Sequence, residues 1–164
     1  MKSLLFLAFF ATILVCNVAN AGESKSTDHD HKIIFIDEGN YNSYINNTGK
    51  WFIFFYRPTC PHCKKLKPDW ENLSVMLHGK VNIGTINSIS SSTLASAFNV
   101  SNVPSFVYIQ DGLVYKFGNR QRDLETWIKF IEKDHKSVDD HPLPKISFTI
   151  STLKKIERTL IVPM

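Results

Sequence analysis

Hydrophobic and polar positions divide the chain into short segments of alternating strand-like and helix-like character. The run at 51–56 (W-F-I-F-F-Y) is apolar at every position, which is typical of a strand covered on both faces. Over 60–77 the apolar residues recur at helical spacing and predict one amphipathic helix. Pro68 lies inside this helix and predicts a kink. The buried stripe of the helix is predicted to comprise Leu66, Trp70, Leu73 and Leu77.

The segments on either side repeat this alternation and predict the fold class. Asp111-Gly112 predicts a tight hairpin turn, and Asp123 is expected to cap the last helix. Serines 90–92 are expected to cap the helix before it. The order β-α-β-α-β-α-β-β-α predicts an α/β fold, in which parallel crossovers precede an antiparallel edge and helices cover both faces of a central mixed sheet. Further strands are predicted over 33–36, 81–86, 105–110 and 113–117, and helices within 37–47, over 90–98 and from 123.

The two ends of the chain differ in composition from this central part. Residues 1–21 combine Lys2, an apolar run over 4–15 and the tripeptide Ala-Asn-Ala at 19–21, which is the pattern of a cleaved signal peptide. An uncleaved anchor and a lipoprotein signal at Cys16 are the alternatives. Residues 22–32 are predicted to be a flexible arm, 33–134 the folded domain, and 135–164 a linker and tail. Charged residues interrupt 146–164, so the mature chain is expected to have no transmembrane span.

Composition excludes few classes of protein. The 164 residues suit one domain with tails, and 12 phenylalanines among 43% hydrophobic residues are enough for a core. The net charge of +4 arises from interspersed acidic and basic residues, so no nucleic-acid partner is expected. The sequons at Asn46, Asn72 and Asn99 are candidate glycosylation sites if the chain passes through a eukaryotic secretory pathway.

Cysteine usage points to redox chemistry. Signal cleavage leaves only Cys60 and Cys63, which is too few for the disulfide framework of a secreted protein. A metal site formed with His62 would lack the second ligand pair of structural zinc sites, so no metal and no cofactor are expected. A pair at the start of a helix makes Cys60 the candidate nucleophile, because the helix N-terminus stabilises its thiolate. Cys63, one turn further on, is the candidate resolving thiol.

His62 lies between the two cysteines and is the candidate for tuning their chemistry. As a cation it would favour the Cys60 thiolate and thereby make the disulfide a better oxidant. The alternative is an exposed polar spacer. Pro61 removes a backbone donor and stiffens the same turn. Together these residues predict an oxidising rather than a strongly reducing site.

The stretch at 55–68, F-Y-x-P-x-C-x-x-C-K-x-L-x-P, resembles the active-site region of protein disulfide isomerase domains, which have the thioredoxin fold. The Val103-Pro104 dipeptide and the loop Gly-Asn-Arg at 118–120 are further matches, and the resemblance covers about 100 residues, 33–136. Within the family, the luminal domains of thioredoxin-related transmembrane proteins are the most similar. The Cys-Pro-His-Cys sequence is also similar to the site of bacterial periplasmic disulfide oxidases.

The resemblance implies a function and roles for individual residues. It implies a thiol-disulfide oxidoreductase or isomerase that uses a Cys60–Cys63 redox disulfide on cysteine-containing client proteins, with an upstream thiol oxidant or glutathione as partner. It implies the endoplasmic reticulum lumen or secretion. It implies that Pro104 is cis and lies against the dithiol, that Val103 presents its backbone to the substrate, and that Arg120 swings inward to lower the pKa of Cys63. An ordinary trans proline and a solvated loop cation are the alternatives.

Three departures from the family pattern keep a second function open. Thr59 stands where a tryptophan is common, and Phe54 stands where many members carry a buried acid that shuttles the proton of the second cysteine. The chain also continues into neither an apolar span nor a Lys-Asp-Glu-Leu-type ending. Resolution of mixed disulfides is therefore expected to be slow, and Phe54→Glu to speed it. The alternative function is a chaperone-like, client-binding module with weak redox turnover.

Overall fold

Six strands form one mixed sheet in a computed structural model that describes residues 33–45 and 49–147. The strands and helices in chain order are β1 (Ile34–Phe35), α1 (Tyr41–Tyr44), β2 (Trp51–Tyr56), α2 (Pro61–Met76), β3 (Asn82–Asn87), α3 (Ser92–Ala97), β4 (Ser105–Gln110), β5 (Leu113–Lys116), α4 (Leu124–Glu132), a 3₁₀ turn (Asp134–Ser137) and β6 (Asp140–Pro142). The predicted α/β class with a central mixed sheet is confirmed. β2 and β4 have their predicted bounds, and β1, β3 and β5 differ from theirs by one residue at an end or at both ends.

The strand order is β1-β3-β2-β4-β5-β6, which places the fully apolar β2 inside the sheet. β3 runs parallel to both β1 and β2, as the alternating pattern predicted. β4 runs antiparallel to β2, although a helix separates it from β3 along the chain. The sequence predicted that antiparallel pairing begins only at the hairpin between β4 and β5. This is wrong, because antiparallel pairing already begins between β2 and β4.

Each face of the sheet carries its own hydrophobic cluster. Because side chains alternate across a strand, Phe52 and Phe54 of β2 enter one cluster, and Trp51, Ile53 and Phe55 enter the other. Helices α2 and α4 cover the first face, and α1 and α3 cover the second. The helical residues buried in the first cluster are Cys63, Trp70, Leu73, Trp127, Phe130 and Ile131, and those in the second are Tyr41, Leu94 and Ala95.

Local signals for turns and caps are confirmed at two places and corrected at a third. Asp111 and Gly112 both have positive φ, 53° and 77°, as the predicted hairpin turn requires. The Asp123 carboxylate accepts a hydrogen bond from the Thr126 backbone N–H at 2.8 Å and caps α4. Ser91 occupies the N-cap of α3 but makes no capping bond with its side chain. The buried carboxylate of Glu38, 55 residues earlier in the chain, accepts from the Thr93 N–H at 3.0 Å instead.

The segment that follows α4 was predicted to be a linker, and this is wrong. β6 pairs antiparallel with β5 and becomes the edge strand of the sheet. His135 is buried, with Nδ1 3.1 Å from the Phe130 carbonyl oxygen and its ring against Tyr108 and Tyr115. A polar segment with two prolines gives no periodicity from which such pairing could be predicted.

Several sequence predictions lie outside the described residues. They are the signal peptide and arm over 1–32, the sequon at Asn46, and the tail over 148–164. Within residues 33–45 and 49–147, no helix combines the length and the apolar character that crossing a bilayer requires.

Candidate active site

Both cysteines lie at the junction of β2 and α2, where the sequence predicted a dithiol. Cys60 is the N-cap residue of α2, half-buried and extended in its backbone, and Pro61 follows in the first turn of the helix. Cys63 is one turn inside and only 2% exposed. Its backbone N–H donates to Cys60 Sγ over 3.4 Å. Both are free thiols here, so the Cys60–Cys63 disulfide stays a prediction for the oxidised chain.

The helix start lowers the pKa of Cys60. Hydrogen bonds from the Cys63 thiol and from its backbone N–H contribute most, because they stabilise the thiolate. The backbone N–H of His62 and the positive charge of Arg57 act in the same direction, against partial burial of the sulfur. Cys60 is therefore the more acidic and the more exposed thiol of the pair, as a nucleophile needs to be.

Burial has the opposite effect on Cys63. It raises the pKa of this thiol to about 11, because the thiolate would lose its hydration. The hydrogen bond with Cys60 and the negative charge of the Cys60 thiolate raise it further, and the Arg57 backbone and the Arg122 charge lower it. The raised pKa favours the protonated form of Cys63, and the roles of Cys60 as nucleophile and Cys63 as resolving thiol stay predictions.

The loop before β4 lies against the dithiol. The peptide bond between Val103 and Pro104 is cis, which confirms the conformation that the family resemblance implied. Pro104 is buried. The Cys60 thiol donates a long hydrogen bond to the Val103 carbonyl oxygen, with 3.9 Å between sulfur and oxygen. The Val103 backbone thus lies beside the Cys60 thiol, and its role in presenting itself to a substrate stays a prediction.

Of the two residues predicted to tune the dithiol, His62 lies beside the cysteines, whereas Arg120 makes its contacts elsewhere. His62 is exposed beside the pair and supports the Cys60 thiolate through its backbone N–H, so the contribution of its imidazole stays a prediction. Arg120 donates to the Phe117 carbonyl, and its guanidinium lies 5.0 Å from the centre of the Phe130 ring. These contacts, and not Cys63, engage Arg120.

The sequence analysis missed Arg57 and Arg122, the two cations whose charges lower the pKa values of the thiols. Arg57 follows β2 directly and acts on Cys60, whereas Arg122 follows Arg120 by two residues and acts on Cys63. In this structure the charge of Arg122 lowers the pKa of Cys63, and the inward swing of Arg120 stays a prediction. The position of Arg57, three residues before a helix-start thiolate, was a signal that the sequence offered.

We expect Arg122→Gln to slow release of a mixed disulfide from Cys60 by about twofold to fivefold at neutral pH, the size of effect that one exposed charge exerts. Removing the cation raises the pKa of Cys63 further above about 11, so less of its thiolate is present to attack. The measurement is the decay rate of a preformed Cys60 mixed disulfide at a series of pH values. The pH profile of this rate should shift to higher pH in the variant. Arg120→Gln is the matched control and should leave this profile in place; the reverse result would restore the role of Arg120.

Phe54 fills the position where many relatives carry an acid. It is 2% exposed and stacks on Phe106 with ring centres 4.9 Å apart, in the same cluster as Cys63. The expected gain in turnover from Phe54→Glu therefore carries a cost in folding, because the new carboxyl group would be buried among aromatic rings. Thr59, directly before Cys60, is exposed.

A groove of about 330 Å³ opens beside the dithiol. It runs from His62 along residues 99–107 to β5 and the loop after it. Of the two described sequons, Asn99 is exposed on the wall of this groove and Asn72 is exposed on α2. Within the described residues, no three His, Cys, Asp or Glu side chains are placed to hold a metal ion.

Comparison with known proteins supports this description. The thioredoxin family model matches residues 32–133. A thioredoxin domain-containing protein of Theileria parva is 27% identical over 150 residues, which are 88% of this chain and 68% of that protein. The protein disulfide-isomerase A6 homolog of Drosophila melanogaster is 26% identical over 122 residues, 70% of this chain and 27% of that protein. The crystal structure of the J-Trx1 fragment of ERdj5 has a TM-score of 0.58 and 27% identity over 63% of this chain and 52% of that one.

Proposed function

Because this chain belongs to the thioredoxin family and resembles its protein disulfide isomerase members, we propose that it forms or rearranges disulfides in client proteins of the secretory pathway. The observation that carries the proposal is the asymmetry of the dithiol. Cys60 is accessible with a lowered pKa, and Cys63 is buried with a raised one. Thiol-disulfide exchange needs this division between an attacking and a resolving thiol.

Oxidation of a client begins with the predicted Cys60–Cys63 disulfide. A client thiolate attacks Cys60 Sγ, the bond between the two cysteines breaks, and Cys63 leaves and takes up a proton. A second client thiolate attacks the client sulfur of the mixed disulfide, which forms the client disulfide and releases Cys60 as a thiolate. The client loses two electrons and the chain gains them. The lowered pKa of Cys60 makes it a good leaving group in the second step.

Rearrangement uses the reduced chain. The Cys60 thiolate attacks a client disulfide, and a different client thiol displaces it, with no net oxidation. If no client thiol does so, Cys63 attacks Cys60 and frees the client in reduced form. Repeated oxidation requires an upstream thiol oxidant or oxidised glutathione to restore the Cys60–Cys63 disulfide, so we propose these as partners.

We expect a reduction potential between about −200 and −120 mV, well above the roughly −270 mV of thioredoxin. Hydrogen bonds and the Arg57 charge stabilise the Cys60 thiolate, which favours the reduced form and makes the disulfide more oxidising. Equilibration of the full chain with glutathione buffers of known ratio measures this value. A potential near that of thioredoxin would contradict an oxidising role and favour a reductase.

We propose the endoplasmic reticulum lumen, or secretion, as the location. The support is the signal-like sequence of residues 1–21 together with the similarity to protein disulfide isomerases. Asn72 and Asn99 are then accessible candidates for glycosylation. Release of the mature chain into the lumen, detected by protease protection in microsomes, would test the location.

A further inference from the structure

Basic side chains line the groove beside the dithiol. His62 lies at its dithiol end, Arg122 in the loop that follows β5, and Lys116 on β5 itself. Among the described residues that line the groove there is no aspartate or glutamate, and the remaining ones are apolar or neutral. Arg57, close enough to influence Cys60, adds a further positive charge at the same end.

In the described part of the chain, Lys116, Arg122 and Arg57 form no ion pair. Across residues 33–45 and 49–147 the one ion pair joins Lys129 and Asp134, near the end of α4. Asp123, next to Arg122 in the chain, has its carboxylate engaged at the N-terminus of α4. Lys116 Nζ donates to the Asn99 carbonyl oxygen over 3.4 Å, which holds the ammonium on the groove wall without cancelling its charge.

The spacing of the groove suits a short extended peptide. The reactive end is the Val103 carbonyl, 3.9 Å from Cys60 Sγ, and Lys116 pairs with Val107 in the register of β4 and β5. Four residues of strand span about 13 Å, so a client in extended form would place residues about four positions from its reacting cysteine near Lys116. Residues next to the cysteine would lie near His62 and Arg122.

We propose that this groove selects clients whose segment beside the reacting cysteine carries aspartate or glutamate. The inference rests on the proposed function, since it names the substrate class of that same site. A carboxylate in the groove is attracted by Lys116 and Arg122, which have no ion-pair partner among the described residues, whereas a lysine there is repelled. The exchange step at Cys60 is unchanged, and selection acts on capture of the client.

The test uses the full chain with Cys63→Ala, whose Cys60 is first converted to a mixed disulfide with a chromogenic thiol. Three peptides share one cysteine and carry aspartates, asparagines or lysines on one side of it. Release of the chromophore reports attack of the peptide thiolate on Cys60 Sγ. Each rate is divided by the rate of the same peptide with the free chromogenic disulfide, which removes differences in intrinsic thiol reactivity.

We expect the normalised rate of the aspartate peptide to exceed that of the lysine peptide by about tenfold at low salt, and this ratio to fall towards one in about 0.5 M salt. Lys116→Gln should reduce the ratio. Lys129→Gln removes the same charge outside the groove and should leave the ratio as it is. Equal normalised rates, or a ratio that Lys116→Gln does not change, would overturn the selectivity. If no peptide reacts faster with Cys60 than with the free disulfide, the proposed function itself fails.

Discussion

Replacing Cys60 by serine is expected to lower the rate of client disulfide formation by at least about a thousandfold, because the chain loses the only accessible thiolate of its described residues. A hydroxyl group is not ionised near neutral pH and cannot form the mixed disulfide. The measurement is the reactivation of a reduced, unfolded client in a glutathione buffer. Cys60 is half-buried at the start of α2, so serine fits there without disturbing the fold.

Cys63→Ala is the matched comparison, and it should trap clients covalently where Cys60→Ser should not. Cys60 remains reactive in that variant, so mixed disulfides with clients should accumulate and be visible on non-reducing gels. A client-binding module with weak redox turnover would instead keep its effect on clients after Cys60→Ser and trap nothing covalently after Cys63→Ala. Full reactivation by Cys60→Ser would therefore contradict the enzymatic function and leave the binding function standing.

Phe106→Ala is expected to lower the free energy of unfolding by about 3–5 kcal/mol, the range for removal of a buried aromatic side chain. The Phe106 ring is 3% exposed and lies within 6 Å, centre to centre, of the rings of Phe52, Phe54, Trp70, Phe117 and Trp127. Its loss leaves a cavity that joins β2, α2 and α4. Urea unfolding of the reduced chain, followed by tryptophan fluorescence, measures the change.

Phe35→Ala is the control for this substitution, because it removes the same side chain where it is 70% exposed on β1. A change of less than about 0.5 kcal/mol is expected there. Similar losses from the two variants would show that the aromatic cluster does not carry the stability we assign to it. A loss as large as the one expected for Phe106 is a substantial share of the 5–15 kcal/mol typical of a whole domain.

The sequence predicted the parts of the structure that depend on local pattern. The apolar run of β2 and the helical spacing after it placed Cys60 at the start of α2, and the aspartate-glycine pair placed the hairpin. The reactivity of Cys60 follows from that placement, because a helix start supplies hydrogen bonds to whichever residue caps it. The position of Pro104 was predicted from the family resemblance alone.

What the sequence could not predict depends on contacts between distant residues. Whether Arg120 or Arg122 influences Cys63 is decided by which guanidinium the rings of Phe117 and Phe130 hold. Both arginines lie in the loop between β5 and α4, and packing decides which of them acts on Cys63. Glu38 as the cap of α3 is another such contact, since Ser91 is the better choice from propensity and the carboxylate arrives from another part of the chain.

Strand β6 has a consequence for solubility. It pairs with the outer side of β5. Just after β6, the Leu143 N–H donates to the Gly112 carbonyl oxygen at 2.8 Å. A chain shortened after residue 134, the domain end that the sequence suggested, would leave β5 with a row of open backbone donors and acceptors, which invites edge-to-edge aggregation. β6 is a safer edge because it is short, contains Asp140 and ends in Pro142, which has no N–H to offer a neighbouring chain.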